Sequence, residues 1–163
     1  MQLTGRQIVD RGIVIGACEA GVQQQGVDVR LKEVWKVYDN KVGFVPKEGK
    51  TVPPGSYILA WDEVYELTPG YYEVEFEEGC DIPSDTAMYF KTRSSLVRCG
   101  AEILSGQFDG GFHTDNMGAF LKVNIPIRIE KGARVAQMIV NETYKVNDED
   151  LYDGQWQGDK QRS

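Results

Sequence analysis

The sequence predicts an all-β fold, a distorted antiparallel β-barrel or jelly roll with a short N-terminal helix and an extended C-terminal arm. Three observations predict it. Apolar and polar residues alternate with period two in several separate stretches, turn signals recur between them every ~8–12 residues, and helical periodicity almost vanishes after the opening segment.

Each element follows from its residues. Thr4-Gly-Arg-Gln7 has the form of a capping box, with Thr4 as N-cap and Gln7 reaching back, so a helix is expected from Gly5 to about Arg11. Val27, Val29 and Leu31 alternate with Asp28, Arg30 and Lys32, the period of a half-buried strand. Pro53-Pro54-Gly55 punctuates the chain, and Tyr57 to Trp61 follows as a compact apolar run. After the turn at Pro69-Gly70, Tyr72, Val74 and Phe76 alternate with Glu73, Glu75 and Glu77. The carboxylates from Glu73 to Glu78 are expected on a solvated strand face, in a row rather than converging on a metal. Thr86 to Lys91 is a further strand. Ile125, Ile127 and Ile129 alternate with Pro126, Arg128 and Glu130, Lys131-Gly132 turns the chain, and Val135 to Val140 is the last strong strand. From about residue 141 the composition becomes polar. Residues 141–163 read as an arm with too few apolar side chains to fold alone, either disordered or laid over a neighbour.

At 163 residues the chain is the size of one domain, 1–163, and its 41% hydrophobic content suffices for a core. A net charge of −7 disfavours nucleic acid as the main partner, because phosphate backbones demand a basic face. No apolar run approaches the ~18 residues of a membrane span. Arg6, Asp10, Arg11 and Glu19 interrupt any signal-like segment. Three cysteines without CxxC spacing and one histidine, His113, exclude a zinc site and point to reduced thiols in a cytoplasmic protein.

Five segments could carry chemistry. Thr92-Arg-Ser-Ser-Leu-Val-Arg98 follows a strand. Arg93, Ser94, Ser95 and Arg98 supply forked and hydroxyl donors suited to phosphate, aided by the amides of a strand-to-helix turn. Equally, the serines could simply cap a helix. Ser105-Gly-Gln-Phe-Asp-Gly-Gly-Phe-His113 describes a hairpin whose glycines let backbone approach a ligand. Asp109 there could hold and deprotonate a water, or be an ordinary Asp-Gly turn residue. Asp28 in Gln24 to Arg30, Arg134 and Gln137 in Glu130 to Gln137, and the glycine-punctuated aromatic tail Tyr152 to Gly158 are each weak alone.

Together and in this order, the five segments resemble the five motifs of the trimeric dUTPase and dCTP deaminase superfamily, from about Gln24 to Gly158. The archaeal branch is nearest, through Gln23 to Val29, Arg93 to Arg98, Gly132 to Gln137 and Tyr152 to Gly158. The resemblance implies a dUTPase-like barrel and a homotrimer whose sites lie at subunit boundaries, with the arm closing over them. Two reactions occur in the superfamily. In one, a third-motif aspartate, here Asp109, activates the water that attacks the α-phosphate of dUTP. In the other, a strand glutamate shuttles protons during deamination of dCTP. Lys122 stands where that glutamate is expected, although His113 to Met117 looks like a small insertion that shifts the register. A lysine, with opposite charge and an ordinary pKa near ~10.4, cannot do that work. The implied function is therefore a dUTP diphosphatase.

By the same resemblance, Arg93, Ser94, Ser95, Arg98 and Lys160 bind phosphate. Gln107, Phe108, Gly110, Phe112, Trp156 and Gln157 bind base and sugar: hairpin backbone reads the edge of uracil, Phe112 packs on the deoxyribose, and Trp156 stacks over the base. Mg²⁺ bridges the phosphate oxygens, with Asp28 and Gln137 as outer-sphere supports through water. Gln155 is a further tail contact, and Asp159 replaces a more usual small hydroxyl residue. A dCTP deaminase, a bifunctional deaminase and diphosphatase, and a catalytically silent nucleotide-binding protein remain as alternatives.

Overall fold

The structure, a computed structural model, describes residues 1–38, 40–154 and 156–158; Gln155, Asp159 and Lys160 lie outside the described residues. The capping box forms as expected. Gln7 N–H donates to Thr4 Oγ1 at 3.2 Å and Thr4 N–H to Gln7 Oε1 at 2.9 Å, which starts α1 (Gly5–Asp10). A cap of this kind contributes about 1 kcal/mol. It sets the angle at which Ile8 enters the core.

The strands follow as β1 (Val14–Ile15), β2 (Val27–Val37), β3 (Gly55–Ile58), β4 (Val64–Leu67), β5 (Gly70–Phe76), β6 (Gly79–Asp81) and β7 (Thr86–Thr92). The short helix α2 (Ser94–Arg98) leads into β8 (Ala101–Leu104), β9 (His113–Thr114), β10 (Gly118–Val123), β11 (Ile127–Glu130) and β12 (Arg134–Glu142). The main sheet is antiparallel in the order β7-β12-β2-β5-β10-β8, with β3 beside β2. Its two ends curl together: Ile103 N–H of β8 donates to Thr92 Oγ1 of β7 at 2.9 Å. The sheet thus nearly closes into a barrel, the arrangement that hides strand edges. Smaller sheets β1-β6-β9 and β4-β11 flank it.

Period-two alternation fills the interior. Val27, Val29 and Leu31 of β2, Tyr72, Val74 and Phe76 of β5, and Met138 and Val140 of β12 are all buried. Two expectations need correction, and one apolar run finds its place. Glu78 is not on the solvated face with its neighbours: it is fully buried and accepts from Arg30 Nε at 2.6 Å and from the Arg30 amide at 2.8 Å. A buried carboxylate requires such a partner. The apolar run Tyr57 to Trp61 divides, with Ile58 and Ala60 packed against the core while Leu59 and Trp61 are 79% and 86% exposed. β3 pairs only with β2 at the margin of the main sheet, and Trp61 stands on the tight turn before β4. Finally, β12 runs to Glu142, past the expected start of the arm, and the arm then lies back on its own chain. Thr143 N–H donates to Asp85 O at 2.7 Å and Val146 N–H to Ser84 O at 2.8 Å. Among the described residues no helix is long and apolar enough to cross a membrane.

Candidate active site

The segment around Asp109 is stitched to the start of β7. Met88 and Phe108 exchange backbone hydrogen bonds, Gly111 N–H donates to Ile82 O at 2.8 Å, and Ile82 N–H to Phe112 O at 2.9 Å. Beneath it runs a chain of edge-to-face rings, Phe76, Phe90, Phe108, Phe112 and Tyr152, with centroids 5.0, 5.5, 5.1 and 5.2 Å apart in turn. Each such pair adds about 0.5–1.5 kcal/mol beyond area burial. This anchorage leaves Asp109 exposed at the tip, where Gln107 Nε2 donates to its Oδ1 at 3.0 Å. Gly110, by contrast, is buried against Pro83 and Ser84.

Asp109, Gln107, Phe108, Phe112 and Trp156 line one cavity of about 840 Å³, within the range of small-molecule sites. Its other walls come from Trp35 of β2, Glu73 of β5, Phe120 of β10, and Lys50 and the Val52 to Gly55 stretch. Sequence reasoning did not nominate these. The only signal for them is register, because Trp35, Glu73 and Phe120 are directly opposed across β2, β5 and β10. Lys122 lies two residues from Phe120, exposed on β10 between Tyr71 and Glu102, and does not line the cavity.

The arm closes against this hairpin. Tyr152 N–H donates to Gly110 O at 2.9 Å. Gln157 Oε1 accepts the His113 amide at 2.8 Å, and Gln157 Nε2 donates to Gly111 O at 2.9 Å. Backbone groups of the hairpin that the resemblance offers to a base are therefore engaged by the arm here. Trp156 packs against the core with Lys50 Nζ 5.2 Å from its ring.

A second, smaller opening gathers Gln23, Asp28, Lys91, Thr92, Arg93, Ser94 and Gln137. Gly26 makes it possible: a Cβ there would stand 2.5 Å from Met138 O, so only glycine lets the start of β2 close on β12. Asp28 then faces Gln137 across the strands. Only 2% of Asp28 is exposed, and its Oδ2 is held by Arg93 Nε at 3.1 Å and Arg134 Nη1 at 3.2 Å. Arg93 Nη1 also donates to Arg134 O at 3.1 Å, so this guanidinium is fixed from two sides. Burial raises the Asp28 pKa above the ordinary carboxylate value, outweighing the two guanidiniums and a hydrogen bond from Gln137.

The N-cap of α2 is Arg93, with no side-chain capping bond, so Ser94 and Ser95 are not the caps that the simpler reading of this segment supposes. Ser95 and Arg98 are exposed on α2 and do not line the opening. Among the described residues no cluster of three His, Cys, Asp or Glu side chains could hold a metal.

One chain therefore presents Asp109 and Arg93 at two different openings, with Gly110, Gln157, Ser95 and Arg98 lining neither. Phe108, next to Asp109, bridges Met88, whereas Arg93 lies five residues farther along the chain. At ~3.3 Å per strand residue the stretch from Met88 to Arg93 is about 16 Å long.

Comparison with known proteins agrees with this architecture. A family model described as dCTP deaminase-like matches residues 3–143. A probable deoxyuridine 5'-triphosphate nucleotidohydrolase of Aeropyrum pernix is 35% identical over 161 residues, covering 98% of this chain and 99% of that protein. The deoxyuridine 5'-triphosphate nucleotidohydrolase of Methanocaldococcus jannaschii is 31% identical over 144 residues, covering 86% of this chain and 89% of its own length. Among solved structures, a 2'-deoxycytidine 5'-triphosphate deaminase from Agrobacterium tumefaciens superposes with a TM-score of 0.66 at 17% identity over 91% of this chain. The chain spans half the length of that deaminase chain, and the likeness is one of fold.

Proposed function

The chain belongs to the dCTP deaminase-like family, and from that membership we propose that it hydrolyses dUTP to dUMP and pyrophosphate. The observation that carries this reading is the pairing of an exposed Asp109, oriented by Gln107 in a nucleotide-sized cavity, with a Lys122 that does not line it. Two archaeal relatives named as deoxyuridine triphosphate nucleotidohydrolases support it.

In the proposed mechanism Asp109 holds a water in line with the α-phosphorus and accepts its proton as the P–O bond to pyrophosphate breaks. Gln107 fixes the carboxylate for that transfer. Arg93 and Ser94, with Ser95 and Arg98 beside them, bind the phosphates and offset the charge gathering on the leaving pyrophosphate. Phe112 meets the deoxyribose. Phe108, the Gly110 backbone, Trp156 and Gln157 enclose the base once the arm rearranges around it, and Lys160 is a phosphate contact proposed from the sequence alone.

The water at Asp109 must lie ~3–3.5 Å from the phosphorus that it attacks. Arg93, at its own opening in the same chain, is too far away to hold that phosphate. The separation supports a homotrimer in which one subunit lends Asp109 and another lends Arg93. Magnesium, implied by the resemblance, would be held by the phosphates of the substrate and would offset their charge, with Asp28 and Gln137, which line the same opening, reaching it only through water. Asp28 already shares its carboxylate with two guanidiniums, which suits a contact through water rather than direct coordination, and the steps above do not run through the ion. The thiols of Cys18, Cys80 and Cys99, none of them in a disulfide, support a reducing, cytoplasmic compartment.

One observation keeps a second reading in play. Glu73 brings a carboxylate to the same cavity, opposite Phe120, which favours residual deamination of dCTP. An assay of dUTP, dCTP, dTTP and UTP, scored separately for pyrophosphate and ammonia, tests both. Pyrophosphate from dUTP without ammonia from dCTP is expected. Ammonia release would establish the deaminase or bifunctional reading, and dUTP binding without either product would leave a silent nucleotide-binding protein.

A further inference from the structure

We propose that Lys91 is a further phosphate-binding residue, engaging the outer phosphates of a nucleoside triphosphate. The inference rests on the reading of the Arg93 opening as the phosphate site.

The register places it there. Asp28 of β2 opposes Gln137 of β12, and Gln137 opposes Lys91 of β7, so the three form one row across adjacent strands. Directly opposed residues share a face, with Cβ atoms ~4.5–5.5 Å apart. Lys91 and Gln137 accordingly line the same opening. The next residue, Thr92, exchanges hydrogen bonds with the backbone of Ile103 in β8 through its hydroxyl, as strand alternation requires.

Charge makes Lys91 the available cation. Asp28, Arg93 and Arg134 form a closed ion-pair group in which the one carboxylate is already shared by two guanidiniums. Among the described residues no ion pair engages Lys91, which is exposed at the rim while Asp28 lies at the buried floor. Arg93 and Lys91 outnumber Asp28 among the residues that line the opening, and Arg134 adds a third positive charge through its contact with Asp28, in a chain whose net charge is −7. A local excess of this sign in an acidic protein attracts a polyanion. The fixed Arg93 fork suits a phosphate held in one geometry, whereas an ammonium on a flexible stem follows charge without demanding a geometry. Terminal phosphates, the most charged and nearest to solvent, are its natural partner.

The test is calorimetric binding of α,β-imido-dUTP and of dUMP to full-length wild type, Lys91→Ala and Lys91→Arg. Lys91→Ala should weaken the imido-triphosphate about tenfold and leave dUMP within about twofold, with Lys91→Arg recovering most of the loss. In turnover, KM for dUTP should rise while kcat changes little. Unchanged triphosphate affinity in Lys91→Ala, or an equal loss for both nucleotides, would overturn the proposal. A wild type that binds the imido-triphosphate no better than dUMP would instead overturn the reading of this opening as a phosphate site. Because Lys91 is exposed, unaltered thermal melting of the variants checks that folding is not at issue.

Discussion

The side-chain carbonyl of Gln157 accepts the backbone N–H of His113 across 44 residues of chain, at 2.8 Å. The same carboxamide donates to Gly111 O at 2.9 Å, so one side chain satisfies both a donor and an acceptor of the hairpin. Arm closure is thus held by directional bonds in addition to the Tyr152 ring on Phe112. Replacing Gln157 by Leu removes both bonds, each worth about 0.5–1.5 kcal/mol net. Exchange of the His113 amide should accelerate by one to two orders of magnitude and turnover should fall, while the melting temperature stays nearly constant. Unchanged exchange at His113 would show that the arm stays docked without the Gln157 carboxamide.

Gly111 makes the same closure possible from the hairpin side. Its φ is +96°, and a Cβ there would stand 2.9 Å from Leu151 Cβ and 3.0 Å from Tyr152 N. Gly111→Ala therefore incurs backbone strain of about 1–2 kcal/mol and also pushes the arm away. Chemical denaturation should report that loss, and the His113 amide should lose protection as it does in Gln157→Leu. A variant that kept both stability and protection would show that the hairpin takes up the added Cβ without displacing the arm.

Asp109→Asn separates binding from chemistry. Asn keeps the size of the side chain and an oxygen for Gln107, but it cannot accept the proton of the attacking water. Turnover should drop by about 10²–10⁴, while α,β-imido-dUTP binds as it does to wild type. Near-normal turnover would remove Asp109 from the general-base role.

The residues that determine these outcomes are legible in the sequence to different degrees. β2, β5 and β12 announce themselves because one face of each is buried, and burial imposes period two on the side chains. Residue type and spacing nominate Asp109 and Arg93, yet their segregation at two openings depends on where β7 runs, which no local pattern encodes. Glu78 looks like the end of an acidic face. Its burial depends on Arg30, 48 residues away, and a partner that distant leaves no local trace. Tyr57 to Trp61 has core composition on an edge element, where composition and burial part company. The return of the arm relies on backbone groups of Gly110, Gly111 and His113, which carry no side-chain signature.

Asp28 makes stability depend on acidity in a defined direction. Its carboxyl is raised above the ordinary value of 3.8, mainly by burial. The folded state therefore binds this proton more tightly than the unfolded chain does. Its contribution is fully present below the unfolded pKa and is lost as pH rises through the higher folded value. Asp28→Asn carries no such term. In melting curves from about pH 3.5 to 7, a window that brackets the ordinary carboxylate range, the variant's melting temperature relative to wild type should rise with pH. A relative melting temperature that falls with pH would show the guanidiniums of Arg93 and Arg134 to outweigh burial.

Sharing of the site between subunits can be tested by mixing two inactive proteins. Asp109→Asn supplies an intact Arg93 opening, and Arg93→Gln supplies an intact Asp109 cavity. If each site takes one residue from each of two subunits, random assembly leaves a site whole only when both positions fall to the right chain. Each has a probability of about one half, so an equimolar co-expressed mixture should recover about one quarter of wild-type turnover per site. Sites complete within one chain would recover nothing, because every copy carries a defect. The stretch of about 16 Å from Met88, where the Asp109 segment joins β7, to Arg93 predicts recovery, and pyrophosphate release from the purified mixture measures it.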